Sequence, residues 1–259
     1  MKIKEVFSTL EQFASLPLQE GYDNAGLQIG LTGMDVSGVL LCLDVTEAVL
    51  DEAIQKGCNL VISHHPLLFR GLKCIADADM IQRCVRKAIL NSITIYAAHT
   101  NLDNAYGGVN FEIAKRLELI NVRFLSPMDG VNGGSGVIGE LPQAVSATQF
   151  LTNVKTAFDV ECLMHNELLE RSIRTVALCG GAGDFLLDKA ISCGADAFLT
   201  GEMHYHLYFG QEQRIQIGVM GHFQSERYTV DLLHDIIKTA FPELSVSETS
   251  IHTNPIKYL

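Results

Sequence analysis

Apolar residues in this chain fall into two alternating patterns. Short unbroken runs, such as Val39-Leu40-Leu41-Cys42-Leu43 and Leu60-Val61-Ile62, read as strands buried on both faces. Between them, apolar positions recur every three or four residues, as at Ala48, Leu50, Ala53 and Ile54, which is the period of a helix packed on one side. The same reading predicts further helices over 4–15, 78–91, 108–118, 146–158 and 223–240. It predicts further strands over 93–98, 136–140, 173–179, 215–219 and 244–249. Strands alternating with helices imply parallel pairing and right-handed crossovers, so the expected fold class is α/β, with mixed sheets flanked by helices.

One strand–helix–strand unit occurs twice. Residues 39–63 align without a gap on 176–200. They share Val39, Leu41, Cys42, Leu50, Asp51, Ala53, Ile54 and Gly57 with the second copy. Units of this kind resemble one another generically, but the matched Asp and Gly positions favour an internal duplication. Two similar lobes follow. The glycine-rich stretch Gly133-Gly134-Ser135-Gly136 marks a boundary at about 125–135, giving lobes over 1–130 and 131–259, with residues 215–240 contributing to a site between them.

Composition narrows the functional classes. At 259 residues, 47% hydrophobic and 19% charged, the chain has material for a large core. A net charge of −11 argues against a nucleic-acid surface but not against an anionic substrate held through metal ions. No apolar run reaches the roughly 20 residues of a membrane span, and the amino-terminal residues lack the apolar core of a signal peptide. The seven cysteines are odd in number and form no C-x-x-C pair. Several lie within apolar runs, as expected of buried thiols in a reducing cytoplasm.

Chemistry-bearing residues cluster where predicted strands end. Ser63-His64-His65-Pro66 follows a buried strand that Pro66 cannot continue, and two adjacent histidines there favour metal binding over a capping role. His99 and Asp103 follow the strand over 93–98. Asp103 suits a hard or borderline cation, or an Asx turn. His222 and Glu226 share a helical face, where Glu226 can bridge two ions or simply favour a helix start. Glu202, in Gly201-Glu202-Met203-His204-Tyr205-His206, aligns with His65 in the repeat and reads as either a substrate-rim residue or a surface turn. Tyr22 to Gly30 is glycine-rich but lacks both the P-loop and the dinucleotide-binding patterns. The nitrogen and oxygen donors suffice for two divalent ions, zinc first, with iron, manganese, nickel or cobalt as alternatives.

Asp23-Asn24-Ala25-Gly26-Leu27-Gln28-Ile29-Gly30, Ser63-His64-His65-Pro66-Leu67, His99-Thr100-Asn101-Leu102-Asp103, Gly201-Glu202, Gly221-His222 and Ser225-Glu226 occur here in an order that resembles the GTP cyclohydrolase I type 2 family, also called the Nif-three-like proteins. Tyr22 stands where that family usually has Trp. The resemblance implies a two-lobed α/β fold with a dinuclear metal centre. His64, His65, Asp103, His222 and Glu226 would be the ligands, and His99 would act beside them as a second-shell or proton-transfer group. It also implies a ring-shaped homohexamer, and a small-molecule substrate such as GTP or another nucleotide, opened by water with release of formate. The same donors suit a phosphatase or phosphodiesterase, and a non-enzymatic metal-binding scaffold is the reading from a different class. A metal-delivery role ranks lower, because no flexible Cys- or His-rich tail is present.

Overall fold

A computed structural model describes residues 1–259. The chain begins with α1 (Ile3–Phe13), β1 (Gly26–Ile29), β2 (Val39–Cys42), α2 (Glu47–Gln55), β3 (Leu60–Ser63), α3 (Met80–Leu90) and β4 (Thr94–Ala97). It continues through α4 (Thr100–Asp103), α5 (Val109–Arg116), β5 (Ile120–Pro127), β6 (Gly134–Val145), α6 (Ala147–Phe158), β7 (Met164–His165) and β8 (Ile173–Cys179). It ends with α7 (Leu187–Ser192), β9 (Ala197–Thr200), β10 (Gln216–Val219), α8 (His222–Glu226), α9 (Thr229–Ala240) and β11 (Val246–Glu248). Two compact units result, one of residues 1–102 and 229–255, the other of 103–228 and 256–259. The glycine-rich stretch expected at a lobe boundary ends the turn after β5 and opens β6, the two strands pairing antiparallel from Ile120↔Glu140 to Pro127↔Gly134.

The first unit is built on a sheet of order β1-β4-β3-β2-β11. β2, β3 and β4 are buried along their whole length and pair in parallel, as their unbroken apolar runs require. β1 joins the edge antiparallel to β4. Leu40, Val61 and Ile95 pack with Val49, Ala53, Val85 and Ala88 of the covering helices. Side-chain caps start two of those helices: Thr46 accepts from Val49 N (3.3 Å) and Asp79 from Gln82 N (2.8 Å). The second unit has the sheet order β5-β6-β8-β9-β10-β7, parallel only among β8, β9 and β10. Both sheets are therefore mixed, and the α/β class holds.

The repeated unit is visible in the strand register. Val39 pairs with Leu60 in β2–β3 and Val176 with Ala197 in β8–β9, the same offset in both copies. The helix in each copy leads into a glycine with positive φ, Gly57 (+68°) and Gly194 (+75°). The single helix expected over 223–240 is two. It breaks at Arg227–Tyr228, where the Arg116 and Arg227 guanidinium carbons lie 3.5 and 4.7 Å from the centre of the Tyr228 ring. The break lets α8 bury Ser225 and Glu226 in the second unit while α9 buries Leu233 and Ile237 in the first. The seven cysteines form no disulfide, and Cys42, Cys58, Cys84 and Cys179 are buried. No helix is long and apolar enough to cross a membrane.

Residues after β11 are tied down by Glu52 of α2. Its carboxylate accepts from Ser250 N (3.0 Å), Ser250 Oγ (2.9 Å) and Thr249 Oγ1, and pairs with Lys56 Nζ at 2.9 Å. Burial raises the Glu52 pKa, but the hydrogen bonds from Thr249, Lys56 and Ser250 outweigh it and bring it down from 4.5 to about 2. A depressed carboxylate pKa contributes stability above the unfolded-state value and loses it as pH falls from about 4.5 toward 2. Glu52→Gln should therefore cost about 1–2 kcal/mol at pH 7, the pKa displacement being discounted for solvent screening. The gap from wild type should close as unfolding is followed down through pH 4.5 to 2. Chemical denaturation at a series of pH values checks this, and a gap independent of pH contradicts it.

Candidate metal centre

Four histidines stand at the carboxyl ends of strands, and each has its Nδ1 held by an oxygen. His64 and His65 follow β3. His64 Nδ1 lies 2.7 Å from Ala98 O, just past β4, and His65 Nδ1 lies 2.7 Å from Asp44 Oδ1, just past β2. His99 Nδ1 lies 2.7 Å from Asp23 Oδ1, and His222 Nδ1 lies 2.7 Å from Glu202 Oε1. His222 has a carboxylate oxygen at each ring nitrogen, whereas in the neutral rings of His64, His65 and His99 it is Nδ1 that carries the hydrogen, because carbonyl and carboxylate oxygens can only accept. The lone pair is thereby assigned to Nε2, the arrangement by which metal-binding histidines are usually oriented.

Within the first unit, His64, His65 and His99 bring ring nitrogens within 4.8 Å of one another. Their ring centroids are 4.9 to 5.5 Å apart. His64 is fully buried. The supporting acids are themselves supported. Asp23 is buried and also accepts from Thr100 N (3.1 Å), Thr100 Oγ1 and Asn24 N (2.6 Å). Burial raises its pKa, yet the His99 and Thr100 hydrogen bonds prevail and hold it at about 2. Asp44 follows the same logic: burial raises its pKa, and the bonds from His65 and Thr253 (2.7 Å to Asp44 Oδ2) bring it below the usual carboxylate range.

Within the second unit, His222 Nε2 lies 3.0 Å from Glu226 Oε2, one helical turn along α8. Glu226 is 4% exposed. A carboxylate so buried is retained only beside compensating charge or donors. Room for it comes from Gly180-Gly181 after β8. Gly181 has φ +58°, and a Cβ there would fall 2.3 Å from Glu226 Oε1. Ser225 Oγ accepts from Gly181 N (3.0 Å) and donates to His222 O (2.8 Å), fixing the loop to the helix. Asp103 ends the single turn of α4, four residues after His99, and Asn110 Nδ2 donates to its carbonyl at 3.0 Å. The local Asx contact in this loop is made by Asn101, whose Oδ1 accepts from His99 N at 3.0 Å.

The structure thus gathers His64, His65 and His99 in one unit and His222 with Glu226 in the other. Glu202, read from sequence as a rim residue or a surface turn, orients His222. The roles of Asp23 and Asp44 were not read from the sequence. Asp23 lies inside a motif that carries the family resemblance. Asp44 follows directly on β2, the neighbour of β3, so a carboxylate at an adjacent strand end was the available signal.

An α/β protein with imidazole and carboxylate groups able to hold metal at its strand ends defines the class. The chain belongs to the Duf34/NIF3 (NGG1p interacting factor 3) family, whose model matches residues 1–255. It is 30% identical over 251 residues to a protein of Clostridium acetobutylicum called "GTP cyclohydrolase 1 type 2 homolog", covering 95% of this chain and 93% of that one. A Clostridium perfringens protein of the same description is 33% identical over 229 residues, 87% of each chain. The crystal structure of a Bacillus cereus protein related to NIF3 superposes with a TM-score of 0.90 at 26% identity, covering 100% of this chain and 99% of that one.

Gly181→Ala should unfold more easily than Gly194→Ala. Both place a side chain at positive φ, a cost of about 1–2 kcal/mol, but nothing lies within 4 Å of a Cβ at Gly194. The excess at Gly181 measures the displacement of Glu226. Equal losses in denaturant titrations contradict the account of this glycine.

Proposed function

We propose that this chain is a metal-dependent hydrolase with a dinuclear centre, acting on a nucleotide, with GTP as the first candidate. His64, His65, Asp103, His222 and Glu226 would hold two divalent ions, zinc first. The observation that carries the reading is the set of four imidazoles with Nδ1 tied to oxygen, three of them grouped as His64, His65 and His99 and the fourth, His222, set against Glu226. The donor chemistry fits: nitrogen and carboxylate oxygen suit zinc, iron, manganese, nickel or cobalt, and no thiolate is involved.

When bound, the ions would supply Lewis acidity, bringing the acidity of water toward neutral pH and offsetting negative charge that develops on the heteroatoms of the attacked group. The side chains set the stage for that chemistry. Ala98 O, Asp44 and Glu202 keep the rings of His64, His65 and His222 from rotating. His99 is the proton-transfer group. Its Nε2 accepts a proton while its Nδ1 keeps its hydrogen and donates it to Asp23, whose ionised carboxylate stabilises the imidazolium that forms. Opening of a purine imidazole ring with release of formate is supported by the description shared by the two clostridial relatives. The homohexameric ring implied by the sequence resemblance belongs to the same reading.

Purified protein should carry about two metal ions per chain by elemental analysis. His64→Ala combined with Glu226→Ala should remove them while leaving the circular dichroism spectrum intact. Metal-replete protein should release formate from GTP, and His99→Ala should retain metal yet lose at least about 100-fold in rate. Phosphate release without formate would replace ring opening with phosphoester hydrolysis. No metal uptake on add-back contradicts the enzyme reading.

A further inference from the structure

Two exposed aromatic rings stand beside the histidine cluster of the first unit. Phe69, on the segment after His64-His65-Pro66, has its ring centre 6.2 Å from that of His99, edge to face at 80°. Tyr22 lies beyond it, 6.3 Å from Phe69 with the planes inclined at 51°. Tyr22 is 65% exposed and Phe69 43%. Large apolar rings in water at a polar site are costly to leave uncovered, which makes a cluster of them informative.

The rings are held in place. Asn24 Nδ2 donates to Leu68 O at 2.6 Å, and Leu68 N donates to Gln28 Oε1 at 3.1 Å. These bonds tie the Phe69 segment to the turn that carries Tyr22. Asn24 is in turn bonded to Asp23, the acid that orients His99. The platform and the proton-transfer histidine therefore share one support. Arg70 and Lys73 follow Phe69 in sequence and are exposed, in a chain of net charge −11.

We infer that Tyr22 and Phe69 form a stacking platform for the heteroaromatic base of a nucleotide, seating its ring beside His99. This rests on the reading of the site as a nucleotide hydrolase and names what selects the substrate. A planar purine ring has a face for one aromatic side chain while the second closes the flank, and stacking tolerates either purine. Arg70 and Lys73 supply charge for the phosphates.

The chain has no tryptophan, so Tyr22→Trp creates a single fluorescent reporter at an exposed position that accepts the larger ring. Guanosine 5′-monophosphate should quench it saturably, whereas ribose 5-phosphate and inorganic phosphate should not. Adding Phe69→Ala should weaken the apparent affinity about fivefold or more. Metal content of each variant should stay at the wild-type level. Phe69→Trp is the second reporter, used if the first variant is misfolded by circular dichroism. Absent quenching, equal quenching by ribose 5-phosphate, or blue-shifted emission from a ring covered by another chain overturns the platform. If metal content is intact in those cases, the hydrolase reading stands without it. Base-dependent quenching in a protein that takes up no metal supports the platform and removes the hydrolase.

Discussion

Fixing the Nδ1 hydrogen of a histidine at a strand end is the constraint on which this site depends. An imidazole free to rotate presents either nitrogen and loses side-chain entropy when it binds anything. Here Ala98 O, Asp44, Asp23 and Glu202 each hold one ring at 2.7 Å. The acceptors come from neighbouring strand ends and from the turn before β1, so the sheet geometry itself sets where Nε2 stands. Parallel strands make this possible because successive strands deliver their carboxyl ends to the same edge. The buried runs of β2, β3 and β4 therefore fix the positions from which these side chains start.

The duplicated unit shows how one framework supports two different pairings of an acid with a histidine. By the gapless alignment, Asp44 corresponds to Gly181 and His65 to Glu202. In the first copy the acid after the first strand orients the histidine after the second. In the second copy the acid has moved to the second strand end, where Glu202 holds His222 of α8. The vacated position is glycine, and its missing side chain is the space that the Glu226 carboxylate fills. The same strand offset survives in both copies while the side chains have exchanged tasks.

Much of this was legible in the sequence, for physical reasons. Central strands are apolar on both faces, so 39–43 and 60–63 read as strands without alignment. The helices over 80–90 and 147–158 show clear periodicity and begin at Asp79 and Ser146, whose side chains accept backbone hydrogens. Edge elements were not legible. β1 holds two buried and two more exposed positions, and β5 is mostly exposed, so neither leaves a hydrophobic signature. The break between α8 and α9 was hidden because the apolar period runs through it. It falls where Arg116 and Arg227 approach the Tyr228 ring, and Arg116 comes from a distant part of the sequence. Histidines and carboxylates at strand ends stood out, but their partners did not. Asp23 and Asp44 are ordinary acids until the fold brings His99 and His65 to them.

The central claim is that the imidazoles oriented at these strand ends, with their neighbouring carboxylates, are metal ligands. Anomalous diffraction from zinc-loaded crystals tests it most directly. The account predicts two anomalous peaks per chain, with His64, His65, Asp103, His222 and Glu226 among the ligands. A lone ion held only by the three histidines of the first unit, or none at any of these residues, would contradict it.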